Sequence, residues 1–279
     1  MSGSSTTPDI AMAYDDEGGG DTLLFVHGHP FNRSMWRPQM EHFSASGWRV
    51  IAPDLRGYGD SAVVPGKTTL DQFARDICAL LDRLELDEIV IAGLSMGGQI
   101  VMECQRLFPS RLRALVLADT SPYAETEAGK RQRNKAADRL LRQGMAPYAD
   151  EVLTKMVAVQ NVEALPAVAQ HVLRMMRSTP PAGAAAALRG RAERPDYVDL
   201  LAQITVPTLV VVGRHDEFTP ISDAEFMQER IPNASLVVIE GAAHMPNLER
   251  PAEFNTALQS FLDLLPAPTR RAREECRRG

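Results

Sequence analysis

Cysteine is scarce in this chain of 279 residues: Cys78, Cys104 and Cys276 are the only three, widely spaced and odd in number. No disulfide framework and no Cys-x-x-Cys metal site can be built from them, which fits a reducing compartment. Long apolar runs are missing as well, since no stretch approaches the roughly 20 residues that a membrane span needs. The opening MSGSSTTPDIAMAYDDEGGGD has no basic start followed by an apolar run, so a secretory signal is not expected. An excess of positive charge is also absent. Lys and Arg number 30 against 36 Asp and Glu, a net charge of −6, which disfavours a general nucleic-acid or anionic-membrane partner. The expectation is a soluble cytoplasmic protein, with no nucleic-acid and no membrane partner; oligomeric state leaves no mark on the sequence.

What is present is ordinary globular usage, 44% apolar and 24% charged residues, which excludes a wholly disordered, collagenous or coiled-coil chain. A chain of this size buries roughly three-quarters of its unfolded surface, so a large core is available without staples. Short β-branched runs alternate with segments of helical period. Thr22 to Gly28, Arg49 to Leu55, Glu88 to Ser95, Leu112 to Thr120, Thr208 to Gly213 and Ser235 to Gly241 read as buried strands. Their near-continuous apolar character belongs to a mostly parallel sheet covered by helices on both faces. In TTLDQFARDICALLDRL, Leu70, Phe73, Ile77, Leu80 and Leu81 fall on one helical face.

The alternation breaks at 122–203, where only helical patterns appear: Ala124 to about Gly144, Ala146 through Val159, Glu163 to Ser178, and Pro181 to about Arg191. The expected organisation is therefore one core from 1–121 and 204–265, a helical lid (cap) insertion at 122–203, and a basic, disordered tail at 266–279. The insertion has 12 basic and 9 acidic residues, a charge of +3, which leaves −9 for the rest.

The strongest chemical signal is Gly93-Leu94-Ser95-Met96-Gly97, a Gly-x-Ser-x-Gly where a strand meets a helix. A sharp, strained turn exposes the serine hydroxyl and leaves no room for side chains two places either side. A serine hydroxyl near neutral pH needs a general base. Among the six histidines, His244 is best placed, because the small-residue loop GAAHMP can turn its imidazole back over the sheet. The base needs an orienting carboxylate, and the loop after Thr208 to Gly213 offers Asp216 or Glu217. Ser, acid and His at the ends of three strands in that order suit acyl transfer. Oxyanion donors, worth about 3–4 kcal/mol each, are expected from the backbone N–H of Met96 and of His29. At the latter turn Gly28 lets the chain double back, although the His29 side chain could touch substrate instead. Gly66-Lys67-Thr68 lacks the remaining glycine and the strand-to-helix context of a phosphate loop.

HGHPFNRSMW (27–36), APDLRGYGDS (52–61), GLSMGG (93–98), VVGRHDEFTP (211–220) and GAAHMPNLERP (241–251) together resemble the α/β-hydrolase superfamily nearly from end to end. The resemblance implies an α/β-hydrolase fold, with Ser95 as nucleophile, Asp216 rather than Glu217 as acid, His244 as base, and His29 and Met96 at the oxyanion positions. LVLADTSPYAETEAGK and the helical insertion resemble small bacterial carboxylesterases and 3-oxoadipate enol-lactonases. Relatives open with a two-strand hairpin, whereas only DIAMAYDDEG is strand-like here. The function so implied is a serine hydrolase cleaving a small-molecule carboxylic ester or lactone with no cofactor and no metal. An enol-lactonase and a cofactor-free perhydrolase or haloperoxidase are the rivals among enzymes, and a ligand-binding or cyclase-type scaffold is the rival outside hydrolysis.

Overall fold

The computed structural model describes residues 10–266; most of the basic tail, including Cys276, lies outside them. Among the described residues seven strands form one sheet: β1 Tyr14–Gly18, β2 Thr22–Val26, β3 Arg49–Pro53, β4 Ile89–Leu94, β5 Leu112–Ala118, β6 Thr208–Gly213 and β7 Ala234–Ile239. Their spatial order is β1-β3-β2-β4-β5-β6-β7. β1 runs antiparallel to β3 and every other pairing is parallel. Among the described residues the edge beside β3 thus carries a single strand, from the second half of DIAMAYDDEG, where relatives were expected to have a hairpin.

The helices are α1 Arg37–Ala45, α2 Leu70–Arg83, α3 Met96–Leu107, α4 Glu127–Gln143, α5 Ala146–Met156, α6 Val159–Ala164, α7 Pro166–Ser178, α8 Pro181–Ala192, α9 Val198–Leu201, α10 Ile221–Arg230, α11 Pro246–Glu249 and α12 Pro251–Leu262. Strand residues divide between two cores by alternation. Leu23 and Phe25 of β2 pack with Trp36, Phe43 and Phe254 on one face, while Leu24 and Val26 pack with Phe73, Ile77 and Ile100 on the other. Both faces being dry is why these strands read as apolar runs rather than as alternating ones. The apolar face of α2 is buried as its spacing predicts, and Thr69 caps its first turn.

Six helices, α4 to α9, stand between β5 and β6. The expected helix from Ala146 through Val159 ends at Met156, and α6 and α7 replace the next one, because Pro166 opens a new helix at its first turn. At the far end of this segment Tyr197, Leu201 and Ile204 join the second core. Buried beneath the same face, Arg56 clamps Asp76 through Nε–Oδ2 at 2.7 Å and Nη2–Oδ1 at 2.5 Å, a bidentate pair that fixes the loop after β3 to α2. No helix among the described residues is long and apolar enough to cross a membrane.

Strand order reverses between β2 and β4, since β2 leads on one side to β3 and on the other to β4. In open parallel sheets the crevice outside the carboxyl ends of the strands at such a switch is where ligands sit. His27 to His29 leave β2 and Ser95 leaves β4 at that point.

Candidate active site

Ser95 has φ 58° and ψ −114°, left-handed backbone that costs a non-glycine residue about 1–3 kcal/mol. The surroundings over-determine it. A Cβ on Gly93 would run into the Gly97 carbonyl, and one on Gly97 into the Val26 carbonyl, so both positions must be bare for α3 to begin against β4 and β2. Ser95 N–H donates to the Ala118 carbonyl at 2.9 Å, and the Ser95 carbonyl accepts from Thr120 Oγ1 at 2.7 Å. Met96 is the first residue of α3, where backbone N–H groups lack intrahelical partners and the helix dipole is positive. Gly28 is needed for close approach rather than for a left-handed turn: its Cβ would lie 2.9 Å from the Leu94 carbonyl oxygen and 3.3 Å from Ser95 Cβ. His29, the next residue, therefore passes directly beside the serine.

Asp216 and His244 are brought together, with His244 Nδ1 donating to Asp216 Oδ2 at 2.8 Å in a buried setting. Asp216 also accepts from Phe218 N–H at 2.8 Å, from Thr219 N–H at 3.3 Å and from Thr219 Oγ1. Burial on its own would raise the Asp216 carboxyl, but His244 and these donors outweigh it and hold it below the usual carboxylate range. Glu217 points into solvent. The loop that presents His244 is fixed by buried Glu249, whose Oε1 accepts from Ala243 N–H at 2.8 Å. Its Oε2 accepts from Ala158 N–H at 2.9 Å and from Asn161 Nδ2 at 2.6 Å.

A third carboxyl stands here that sequence reasoning passed over. Asp119, at the end of β5, lies with Asp216 and His244 so that one ligand atom from each is within 4.8 Å of the others. Asp119 Oδ1 accepts from Gly213 N–H at 2.9 Å. Burial first, and then the Asp216 charge, push its carboxyl well above the ordinary value. A carboxyl whose pKa folding raises stabilises the fold fully below its unfolded value near 4 and loses that contribution as pH rises through the folded value. Asparagine keeps the acceptor for Gly213 and does not ionise. Asp119→Asn is expected to show a Tm advantage over wild type that grows from near zero at pH 4 to about 3 °C or more at pH 8. A constant difference across that range in thermal melts would mean that Asp119 ionises normally.

Ser95 and His244 line one cavity of about 160 Å³, together with His29, Gln99, Arg133, Arg191 and Arg194 among others. Met156 reaches it too, whereas Met145, Met175 and Met176 are buried in packed clusters. Of the remaining histidines, buried His27 is committed through Nε2 to Leu55 N–H at 2.9 Å, and His171 sits half-buried with Nε2 3.2 Å from the Ser34 carbonyl. The arginines and Gln99 were not singled out from sequence. The signal that could have found Arg191 is its place at the end of an alanine-rich helix most of which is buried. A larger, open apolar groove of about 690 Å³ between β7 and α12 is lined by none of these groups.

The family model for the alpha/beta hydrolase fold matches residues 21–251. A 3-oxoadipate enol-lactonase from Acinetobacter baylyi is 31% identical over 260 residues, covering 92% of this chain and 95% of the relative. Among solved structures, a thermophilic esterase from Thermogutta terrifontis superposes with a TM-score of 0.91 at 38% identity, covering 93% of this chain and 96% of that one. A bromoperoxidase from Bacillus anthracis superposes with a TM-score of 0.82 at 25% identity, covering 91% and 96%.

Proposed function

The chain belongs to the α/β-hydrolase fold family, and on that premise we propose that it is a serine hydrolase acting on a small-molecule carboxylic ester or lactone. Ser95 is the nucleophile, His244 the base and Asp216 the acid that fixes the imidazole. The observation that carries this reading is the buried 2.8 Å bond from His244 to Asp216 at the wall of a cavity that the strained Ser95 also lines.

In the proposed reaction Ser95 Oγ attacks the substrate carbonyl while His244 Nε2 takes its proton. Asp216 keeps Nδ1 protonated and stabilises the imidazolium that forms. The oxyanion of the tetrahedral intermediate is met by the N–H groups of Met96 and His29. Collapse breaks the bond to the leaving oxygen, which takes the proton from His244 and departs as an alcohol, or as a tethered hydroxyl from a lactone. Water then loses a proton to His244 and attacks the acyl-enzyme, and the acid is released as Ser95 recovers its proton. No metal or cofactor enters these steps. Residues 122–203 act as the lid over the cavity, and the protein works in the cytoplasm.

A fluorophosphonate probe reports on an activated serine directly. It is expected to form one covalent adduct, on the peptide carrying Ser95, and to abolish hydrolysis of an aryl acetate in proportion to labelling. Neither labelling nor ester turnover by wild-type protein at pH 8 would overturn the proposal.

A further inference from the structure

We propose that the cavity beside Ser95 holds a carboxylate-recognition site built on Arg191, so that the substrates it favours are short esters or lactones carrying a free carboxylate. The assignment deepens the hydrolase reading and rests on it for the word substrate, but the anion site stands on observations of its own.

Arg191 is buried in α8 and lines the cavity. Its one hydrogen bond among the described residues runs from Nε to the neutral Gln99 Oε1 at 3.2 Å. The arginines around it are matched: Arg133 and Arg194 share Glu125, and Arg189 pairs with Asp138 at 2.8 Å. No described carboxylate lies within ion-pair distance of Arg191, and the charges that act on it most strongly, Arg133 and Arg194, are of like sign. A guanidinium cannot escape this by losing its proton, and a buried charge without a partner is costly. Both Nη groups therefore stand ready for an anion, in the forked geometry that fits a carboxylate with two parallel bonds.

A second group awaits a partner in the same space. His29 lines the cavity and is 3% exposed, yet its Nε2 bonds to none of the described residues. Its Nδ1 lies 2.7 Å from the Tyr58 hydroxyl. With Tyr58 donating to Nδ1, Nε2 carries the proton and is a donor. Burial, together with Arg191, keeps this imidazole neutral.

Distance and size narrow the ligand further. Gln99 N–H bonds to the Ser95 carbonyl at 3.2 Å, so the residue that steadies Arg191 is one helical turn from the nucleophile, about 5–6 Å between Cβ atoms. Arg191 and Ser95 line the same small cavity, so a carboxylate on the one and a carbonyl at the other belong to a ligand with a short spacer. The cavity of about 160 Å³ is comparable to one that holds a benzene-sized molecule, which suits a short acyl group and not a fatty chain.

The test compares monomethyl succinate, which has one free carboxylate, with dimethyl succinate, its neutral counterpart. Wild type is expected to favour the half-ester in kcat/KM by about tenfold or more, and Arg191→Met to lower that preference by about 30-fold, with Arg191→Lys between them. Succinate itself, titrated calorimetrically into Ser95→Ala protein, is expected to bind, and to bind about 30-fold more weakly when Arg191→Met is added. Removing an unmatched buried charge is also expected to raise the Tm of the unliganded protein, which a purely structural arginine would not do. Equal turnover of both esters by wild type, with no Arg191-dependent succinate binding, overturns the proposal and leaves the hydrolase reading intact. Arg191-dependent succinate binding without turnover of either ester does the reverse. If Arg191→Met lowers the Tm and leaves the ester preference unchanged, the residue is structural and the proposal fails.

Discussion

Ser95→Ala is expected to lower kcat on an aryl acetate by about 10⁵-fold, to abolish fluorophosphonate labelling, and to leave the Tm within about 2 °C of wild type. The kinetic effect is large because Ser95 carries the only hydroxyl of the Gly93–Gly97 turn, and because removing the nucleophile of such a unit forfeits the contribution of its base as well. Stability is spared because the backbone bonds that hold the turn, Ser95 N–H to Ala118 and Thr120 Oγ1 to the Ser95 carbonyl, do not use the hydroxyl. Alanine at φ 58° is strained as serine is. Steady-state rates of purified variant and wild type, with melts alongside, are sufficient. A rate within tenfold of wild type would place the nucleophile elsewhere.

Asp216→Asn is expected to cost about 10⁴-fold in kcat at neutral pH. An amide that turns its N–H toward His244 forces the wrong tautomer on the ring, and one that turns its oxygen there stabilises the imidazolium far less. The neighbouring Asp119 adds a signature that an ordinary acid mutant lacks. In wild type the Asp216 charge is one of the causes that raise the Asp119 carboxyl, so removing that charge lets Asp119 ionise at lower pH, within 4.8 Å of the His244 ring. Activity of Asp216→Asn should therefore recover by about tenfold or more as pH rises, while the Asp119→Asn, Asp216→Asn double variant should not recover. Superimposable pH–rate profiles for the two would show that Asp119 gives the ring no support.

The core strands were legible because burial on both faces writes itself as unbroken apolar runs. β2 is the clearest instance, with all five residues buried and its four apolar ones dividing between two cores. The elbow was legible because two glycines must be bare for α3 to touch β2 and β4. Pairings that depend on three dimensions were not. Asp119 reads in sequence as an acid ending a strand, and nothing local reveals that β6 and the Asp216 loop close over it. Arg191 reads as one of 12 basic residues in a segment of net charge +3, and only the fold shows that its neighbours consume the available carboxylates. The choice between Asp216 and Glu217 needed the resemblance, because both follow β6 in a loop and differ in direction rather than in type.

Glu249 sets a condition on how this scaffold can be altered. One buried carboxylate receives Ala158 and Asn161 from the helical segment and Ala243 from the loop of His244. The helical segment and the loop of His244 are thus tied through one side chain. A transplanted insertion from another hydrolase, however well its own helices pack, would leave an orphaned anion next to the histidine unless it brought two donors to the same place. Exchange of this segment for new specificity is a graft with a required point of attachment, and that point is read from residue 249.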